Sequence, residues 1–146
     1  MSPPFYVVRH AEAARPEGVA DRDRPLSEEG RTAFSRLVAS LGPAWTPRRI
    51  LSSPFRRARE TAAVVEAATG VRAEEEEALA SGRSSGRELL RLGREAGAGA
   101  ALVGHNPEVA EAVSLAAGAT QGVPPGSIAA VEDIGGGYRL LWVRRP

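Results

Sequence analysis

Phe5-Tyr6-Val7-Val8-Arg9-His10 opens the chain with a short apolar, β-branched run that ends on a cation and an imidazole. Ala100-Ala101-Leu102-Val103-Gly104-His105-Asn106-Pro107 repeats that plan in the second half of the chain. Continuous apolar runs of this length suit strands buried on both faces. The only two histidines of the chain therefore stand at the carboxyl ends of two predicted strands. Around the second of them, Asn106 is placed to cap a helix with Pro107 at its first position, where a missing N–H costs nothing.

Working outward, Arg49 to Ser52 is another short strand candidate. The segment Ser53-Pro54-Phe55-Arg56-Arg57 after it delivers arginines where a helix begins, with Ala58, Ala62, Val65 and Ala68 on the buried face and Gly70 as the stop. Ser27 with Glu28 and Glu29 reads as an N-cap and acidic first turn for a helix carrying Phe34, Leu37, Val38 and Leu41, ended by Gly42-Pro43. Val71 to Leu79 reads as an edge strand, and Ser85 with Glu88 forms a capping box ahead of Leu89, Leu90 and Leu92. Ile128 to Val131 and Tyr138 to Val143 form a closing ribbon across Gly135-Gly136-Gly137.

Strands alternating with helices imply an α/β sandwich whose sheet is mostly parallel, with one antiparallel strand at an edge. In such sheets ligands gather outside the carboxyl ends of the strands, where His10, Arg57 and His105 would meet. With 146 residues, 42% of them hydrophobic, the chain reads as one domain, 1–146, with enough apolar surface for a real core.

Nineteen basic residues, all arginine, against 18 acidic ones leave a net charge of +1, which gives no overall field of the kind nucleic-acid binders carry. There is no cysteine, hence no disulfide or thiolate chemistry. No run approaches the roughly 18 apolar residues of a membrane span, and no basic-then-apolar leader opens the chain. A cytoplasmic protein without nucleic-acid or membrane partners is the expectation. Two histidines far apart in sequence make a poor zinc site, so no metal and no organic cofactor are expected.

Arg9-His10 sets a nucleophilic imidazole beside a fixed cation, the pairing required if histidine attacks phosphorus while arginine holds charge on the equatorial oxygens. Arg57 reads locally either as a solvated helix arginine or as a guanidinium aimed, with free helix N–H groups, at an anion. His105 reads either as a satisfied core histidine or as a pocket wall, Gly104 permitting close approach.

Taken together, Val8-Arg9-His10-Ala11, then Ser53-Pro54-Phe55-Arg56-Arg57-Ala58 with Thr61-Ala62, then Val103-Gly104-His105-Asn106 resemble the three motifs of the histidine phosphatase superfamily. That resemblance implies a three-layer α/β/α sandwich of the phosphoglycerate-mutase-like kind, without a large capping insertion. It implies that His10 is the nucleophile that becomes phosphohistidine, with Arg9, Arg57 and His105 forming the phosphate pocket. The short length and the segment Asp21-Arg22-Asp23-Arg24-Pro25-Leu26-Ser27 resemble the SixA-type phosphohistidine phosphatase branch, in which Arg24 matches an arginine near the substrate. On local grounds Arg24 reads equally as a loop arginine paired with Asp21 or Asp23.

Two departures stand out. Ala11 occupies a position where the general superfamily pattern has glycine, although alanine is familiar there in the SixA-like branch. The region around Leu79-Ala80-Ser81 lacks the glutamate that many mutases and phosphomonoesterases use as general acid. Glu12 and Glu77 remain candidates for that role. An alkoxide needs a proton to leave, whereas imidazole, with a conjugate-acid pKa of about 6.5, leaves readily, so an acid-poor site suits phosphohistidine. The expected activity is hydrolysis of a phosphoryl group, with a phosphohistidine-bearing protein as substrate. A small-molecule phosphomonoesterase of the same superfamily and a non-catalytic phospho-ligand binder are the alternatives.

Overall fold

The first strand shows how the sandwich is built. In β1 (Phe5–Arg9) side chains alternate across the sheet, so Phe5 and Val7 enter one apolar cluster while Tyr6 and Val8 enter the other. The computed structural model describes residues 3–146. Its single six-stranded sheet also contains β2 (Arg49–Ser52), β3 (Ala73–Glu75), β4 (Ala100–Gly104), β5 (Ile128–Asp133) and β6 (Tyr138–Arg144), in the order β3-β2-β4-β1-β5-β6.

Helices cover both faces. Helix α1 (Glu28–Leu41) and helix α2 (Arg56–Thr69) bury Phe34, Leu37, Val38, Leu41, Ala58, Ala62 and Val65 on the face shared with Tyr6 and Val8. Helix α3 (Gly86–Ala96) and helix α4 (Glu108–Ala117) bury Leu89, Leu90, Val109, Ala112 and Val113 on the face shared with Phe5 and Val7. This is the expected three-layer α/β/α sandwich.

The caps read from sequence form as expected for α1 and α3. Ser27 Oγ accepts from the Gly30 N–H at 2.9 Å, and Ser85 and Glu88 complete a reciprocal box. Helix α2 ends on Gly70 in the left-handed conformation at φ 75°.

Three local expectations are corrected. The antiparallel strand is not at an edge: β5 lies between β1 and β6 and runs against both. A hairpin built on an internal strand carries its partner outward, so β6 becomes the edge and is only half-buried. Strand β3 is three residues long instead of spanning 71–79, because Glu77–Leu79 winds into a 3₁₀ turn that buries Leu79. Its glutamates face solvent, Glu74 pairing with Arg49 at 3.0 Å. Finally, α4 starts one residue later than expected, with Pro107 in the cap position. Asn106 still serves the helix, since its Oδ1 accepts the Ala110 N–H at 3.1 Å while its Nδ2 donates to the Val123 carbonyl at 3.2 Å.

Strands β1, β2 and β4 are parallel neighbours, and their carboxyl ends share one edge of the sheet. The ladder continues past the strand ends: the His10 N–H donates to the Gly104 carbonyl at 3.0 Å and the Ser53 N–H to the Val103 carbonyl at 3.0 Å. Ordinary sheet bonding therefore fixes where the first residue of each functional segment stands.

Candidate active site

His10 follows β1 directly and is 9% exposed. Its Nδ1 lies 2.7 Å from the Ala11 carbonyl oxygen. A carbonyl only accepts, so Nδ1 carries the proton and the Nε2 lone pair of the neutral ring is left for chemistry. Burial pushes the His10 pKa down to about 4, and the positive charges of Arg57, Arg9 and Arg24 push the same way against the raising effect of the Ala11 hydrogen bond. The ring is thus uncharged at neutral pH.

His105 stands across the site with its ring centroid 5.2 Å from that of His10, and it is 2% exposed. Its Nε2 is 2.8 Å from Ser53 Oγ, which already accepts the Phe55 N–H at 3.1 Å. Ser53 Oγ keeps a second lone pair as well as its own proton, so this bond forms with either tautomer of the neutral His105 ring. Nδ1 is buried and has no hydrogen-bond partner among the described residues. Burial first, then the neighbouring His10 and Arg57, push the His105 pKa down to about 3.

Arg57 enters from the first turn of α2 and is 5% exposed. Its Nη1 donates to the Asp21 main-chain carbonyl at 2.7 Å and its Nη2 to the Asp21 carboxylate at 3.2 Å, while Nε is buried without a partner. Arg9 is anchored by Nη1 to the Val123 carbonyl at 2.9 Å, and its Nε is likewise buried and unpartnered. Burial lowers the pKa of both guanidinium groups. Arg24 donates through Nε to the Ala14 carbonyl at 3.0 Å and through Nη1 to Asp21 at 3.1 Å.

The structure thus brings together His10, Arg9, Arg57, His105 and Arg24. Glu12 is exposed, and its carboxylate accepts from the Ser27 hydroxyl at 2.9 Å, at the cap of α1. Glu77 is exposed at the start of its 3₁₀ turn. Among the described residues no three or more His, Asp or Glu side chains gather as metal ligands do.

Sequence reading quoted Ser53, Phe55 and Thr61 within a motif but gave them no task. Thr61, fully buried, accepts the Ala11 N–H at 3.0 Å and donates to the Arg57 carbonyl at 2.7 Å, tying the turn after His10 to the first turn of α2. Phe55 meets the His105 ring edge-on at 5.1 Å and carries the Arg57 and Arg22 guanidinium groups at 5.1 and 5.3 Å. A buried hydroxyl four residues past the arginine was the available sequence signal for Thr61, since such a group must bond to backbone.

Comparison with known proteins matches the sequence to a family and the fold to solved structures. A search of the curated proteins finds no sequence match. Among solved structures, a protein of Agrobacterium tumefaciens with the provisional name phosphohistidine phosphatase SixA superimposes with a TM-score of 0.83 at 24% identity, covering 100% of this chain and 99% of that one. The protein histidine phosphatase SixA, solved with tungstate, gives 0.82 at 25% identity, covering 97% and 96%. A mycobacterial glucosyl-3-phosphoglycerate phosphatase gives 0.71 at 18% identity, covering 97% and 98%. The sequence pattern of the histidine phosphatase superfamily (branch 1) matches residues 5–89, more than half the chain and including His10, Arg9 and Arg57. On that match, with the SixA-like fold, the chain belongs to the histidine phosphatase superfamily (branch 1) and is a phosphatase.

Proposed function

We propose that this phosphatase removes the phosphoryl group from a phosphohistidine borne by a protein, through a covalent intermediate on His10. One observation carries the reading. Arg9 Nε and Arg57 Nε are buried donors with no partner among the described residues, and His105 Nδ1, equally buried and unpartnered, joins them as a donor when it carries the ring proton; all three belong to side chains around an uncharged His10. Leaving such donors unpaired is costly, and one tetrahedral oxyanion supplies the acceptors that three of them lack.

The neutral Nε2 of His10 attacks phosphorus in line, forming the new N–P bond as the bond to the substrate imidazole breaks. The departing nitrogen takes its proton from solvent. Charge on the equatorial oxygens falls on Arg9, Arg57 and the His105 Nδ1–H, all in place before the reaction starts. The Ala11 carbonyl, holding Nδ1–H of His10, favours the positive charge that the ring acquires when Nε2 is phosphorylated. Water then attacks phosphorus, phosphate leaves, and His10 recovers its lone pair.

Imidazole as leaving group asks least of a general acid, which accords with Glu12 hydrogen-bonded at a helix cap and Glu77 exposed. The tungstate bound by SixA is a phosphate-like oxyanion and lends the same reading weight. The test is phosphate release from a phosphohistidine-bearing protein domain, by wild type and His10→Ala, beside a panel of small phosphomonoesters. Preference for the protein phosphohistidine, with turnover and covalent labelling both lost in the variant, is expected. Preference for a phosphomonoester moves the substrate to small-molecule metabolism, and turnover retained by His10→Ala sinks the nucleophile assignment.

A further inference from the structure

Asp21 lies in a 3₁₀ turn (Asp21–Asp23) on the long connection between β1 and α1. Its carboxylate joins two arginines of the site, Oδ2 accepting from Arg57 Nη2 at 3.2 Å and Oδ1 from Arg24 Nη1 at 3.1 Å. Its main-chain carbonyl accepts from Arg57 Nη1 at 2.7 Å. We infer that Asp21 is a positioning residue for the phosphate pocket, fixing the guanidinium planes of Arg57 and Arg24 so that the Nε edge of Arg57 is presented to the phosphoryl group; the inference rests on the reading of this site as an oxyanion pocket.

A carboxylate on a phosphate-binding arginine has an obvious rival role, that of an internal anion that phosphate must displace. The geometry favours positioning. Half of the grip on Arg57 comes from a main-chain carbonyl, which no incoming anion removes without moving the whole turn. The Asp21 side chain is 62% exposed, whereas that of Arg57 is 6% exposed, so the carboxylate closes the outer side of the guanidinium. The donor left over is Nε, which is buried and unpartnered.

Charge points the same way. Arg9, Arg24 and Arg57 outnumber Asp21 around His10, so the pocket is net positive while both histidines are neutral, as a phosphoryl group carrying a charge of about −2 requires. Arg24 and Arg57 hold the Asp21 carboxyl below its usual pKa, the Arg24 hydrogen bond contributing most, so it is ionised at neutral pH.

The two roles give opposite signs for one measurement. Removing a negative charge beside an anion site tightens anion binding by Coulomb's law alone, and it also tightens binding if Asp21 competes. If Asp21 positions the arginines, its loss loosens binding. The experiment is the dissociation constant of tungstate, by calorimetry, for the full chain as wild type, Asp21→Asn and Asp21→Ala, with Arg24→Ala and the Asp21→Ala/Arg24→Ala double variant completing a cycle.

Expected is at least a tenfold weaker tungstate affinity in Asp21→Ala, a smaller loss in Asp21→Asn, which keeps one acceptor oxygen, and a markedly smaller effect of Asp21→Ala once Arg24 is gone. On phosphohistidine substrate the same variants should raise KM more than they lower kcat. Affinity unchanged or tightened in Asp21→Asn overturns the inference, as does full additivity in the cycle. Should Asp21→Ala fail to fold, the Asn variant alone decides by the sign of its change. A wild-type chain that binds tungstate but spares phosphohistidine refutes the substrate reading and leaves this test standing. A wild-type chain that binds no tungstate overturns both.

Discussion

The attack on phosphorus proposed for His10 needs an unprotonated ring, and that state is a property of two residues, His10 and Ala11. Burial keeps the ring neutral, and the Ala11 carbonyl decides which nitrogen bears the proton. The expected kcat/KM profile stays flat from neutral pH down through the ordinary histidine range, and falls only as pH approaches about 4, where His10 takes up its proton. An acid limb centred near 6.5, followed with a substrate whose own ionisation is accounted for, would contradict that neutrality. The same residues show what sequence conveys and what it withholds. Arg9, His10, Arg57 and His105 were legible because each ends a strand or opens a helix. The tie from Asp21 to Arg57 was not, since it joins residues 36 positions apart and depends on a loop whose path no local pattern dictates.

At the scale of elements, close packing decides how firmly the site segments are held. Gly30, in the first turn of α1, lies against the backbone of Glu12, so a Cβ there collides with the segment that leaves His10. Gly86, in the first turn of α3, lies against the backbone of α4 at Glu111 and Ala112. Alanine at either position is expected to destabilise the fold by about 1–3 kcal/mol, the range for forced overpacking. Gly30→Ala should also depress turnover, whereas Gly86→Ala, which strains a contact between helices, should not beyond its effect on the folded fraction. Denaturant midpoints with unchanged slopes, set beside activity under native conditions, check both. The helices, and the caps of α1 and α3, were legible because capping chemistry is local. The place of β5 was not, because strand order follows from which faces remain uncovered once the helices dock. Likewise the length of β3 was lost to the burial of Leu79, which winds its neighbours out of the ladder.

For the whole molecule, the buried histidines link stability to pH. An unfolded chain protonates its histidines near 6.5, while the folded chain holds them neutral down to about 4 for His10 and about 3 for His105. Below 6.5 the unfolded state therefore binds more protons than the native state, so stability is fully present above 6.5 and is lost as pH falls through that window. Each unit of separation is worth about 1.4 kcal/mol, and the two rings titrate as a pair. Urea midpoints should drop steadily between pH 6.5 and 4. Saturating sulfate should flatten the drop, because an oxyanion beside the rings makes their charged forms less costly. A midpoint insensitive to pH over that range would show that the histidines are not buried neutral. Among the described residues no helix is long and apolar enough to cross a membrane.

The antiparallel course of β5 settles where the molecule can be handled. It begins beside Val8, next to the reacting edge, and runs back past Phe5 before turning at Gly135-Gly136-Gly137 into β6. That turn lies at the opposite end of the sheet from His10, is exposed, and has open space around Gly136. A dye, a surface tether or a fused reporter inserted there would leave the far edge undisturbed, giving a fixed vantage from which to watch an oxyanion such as tungstate arrive and depart beside His10.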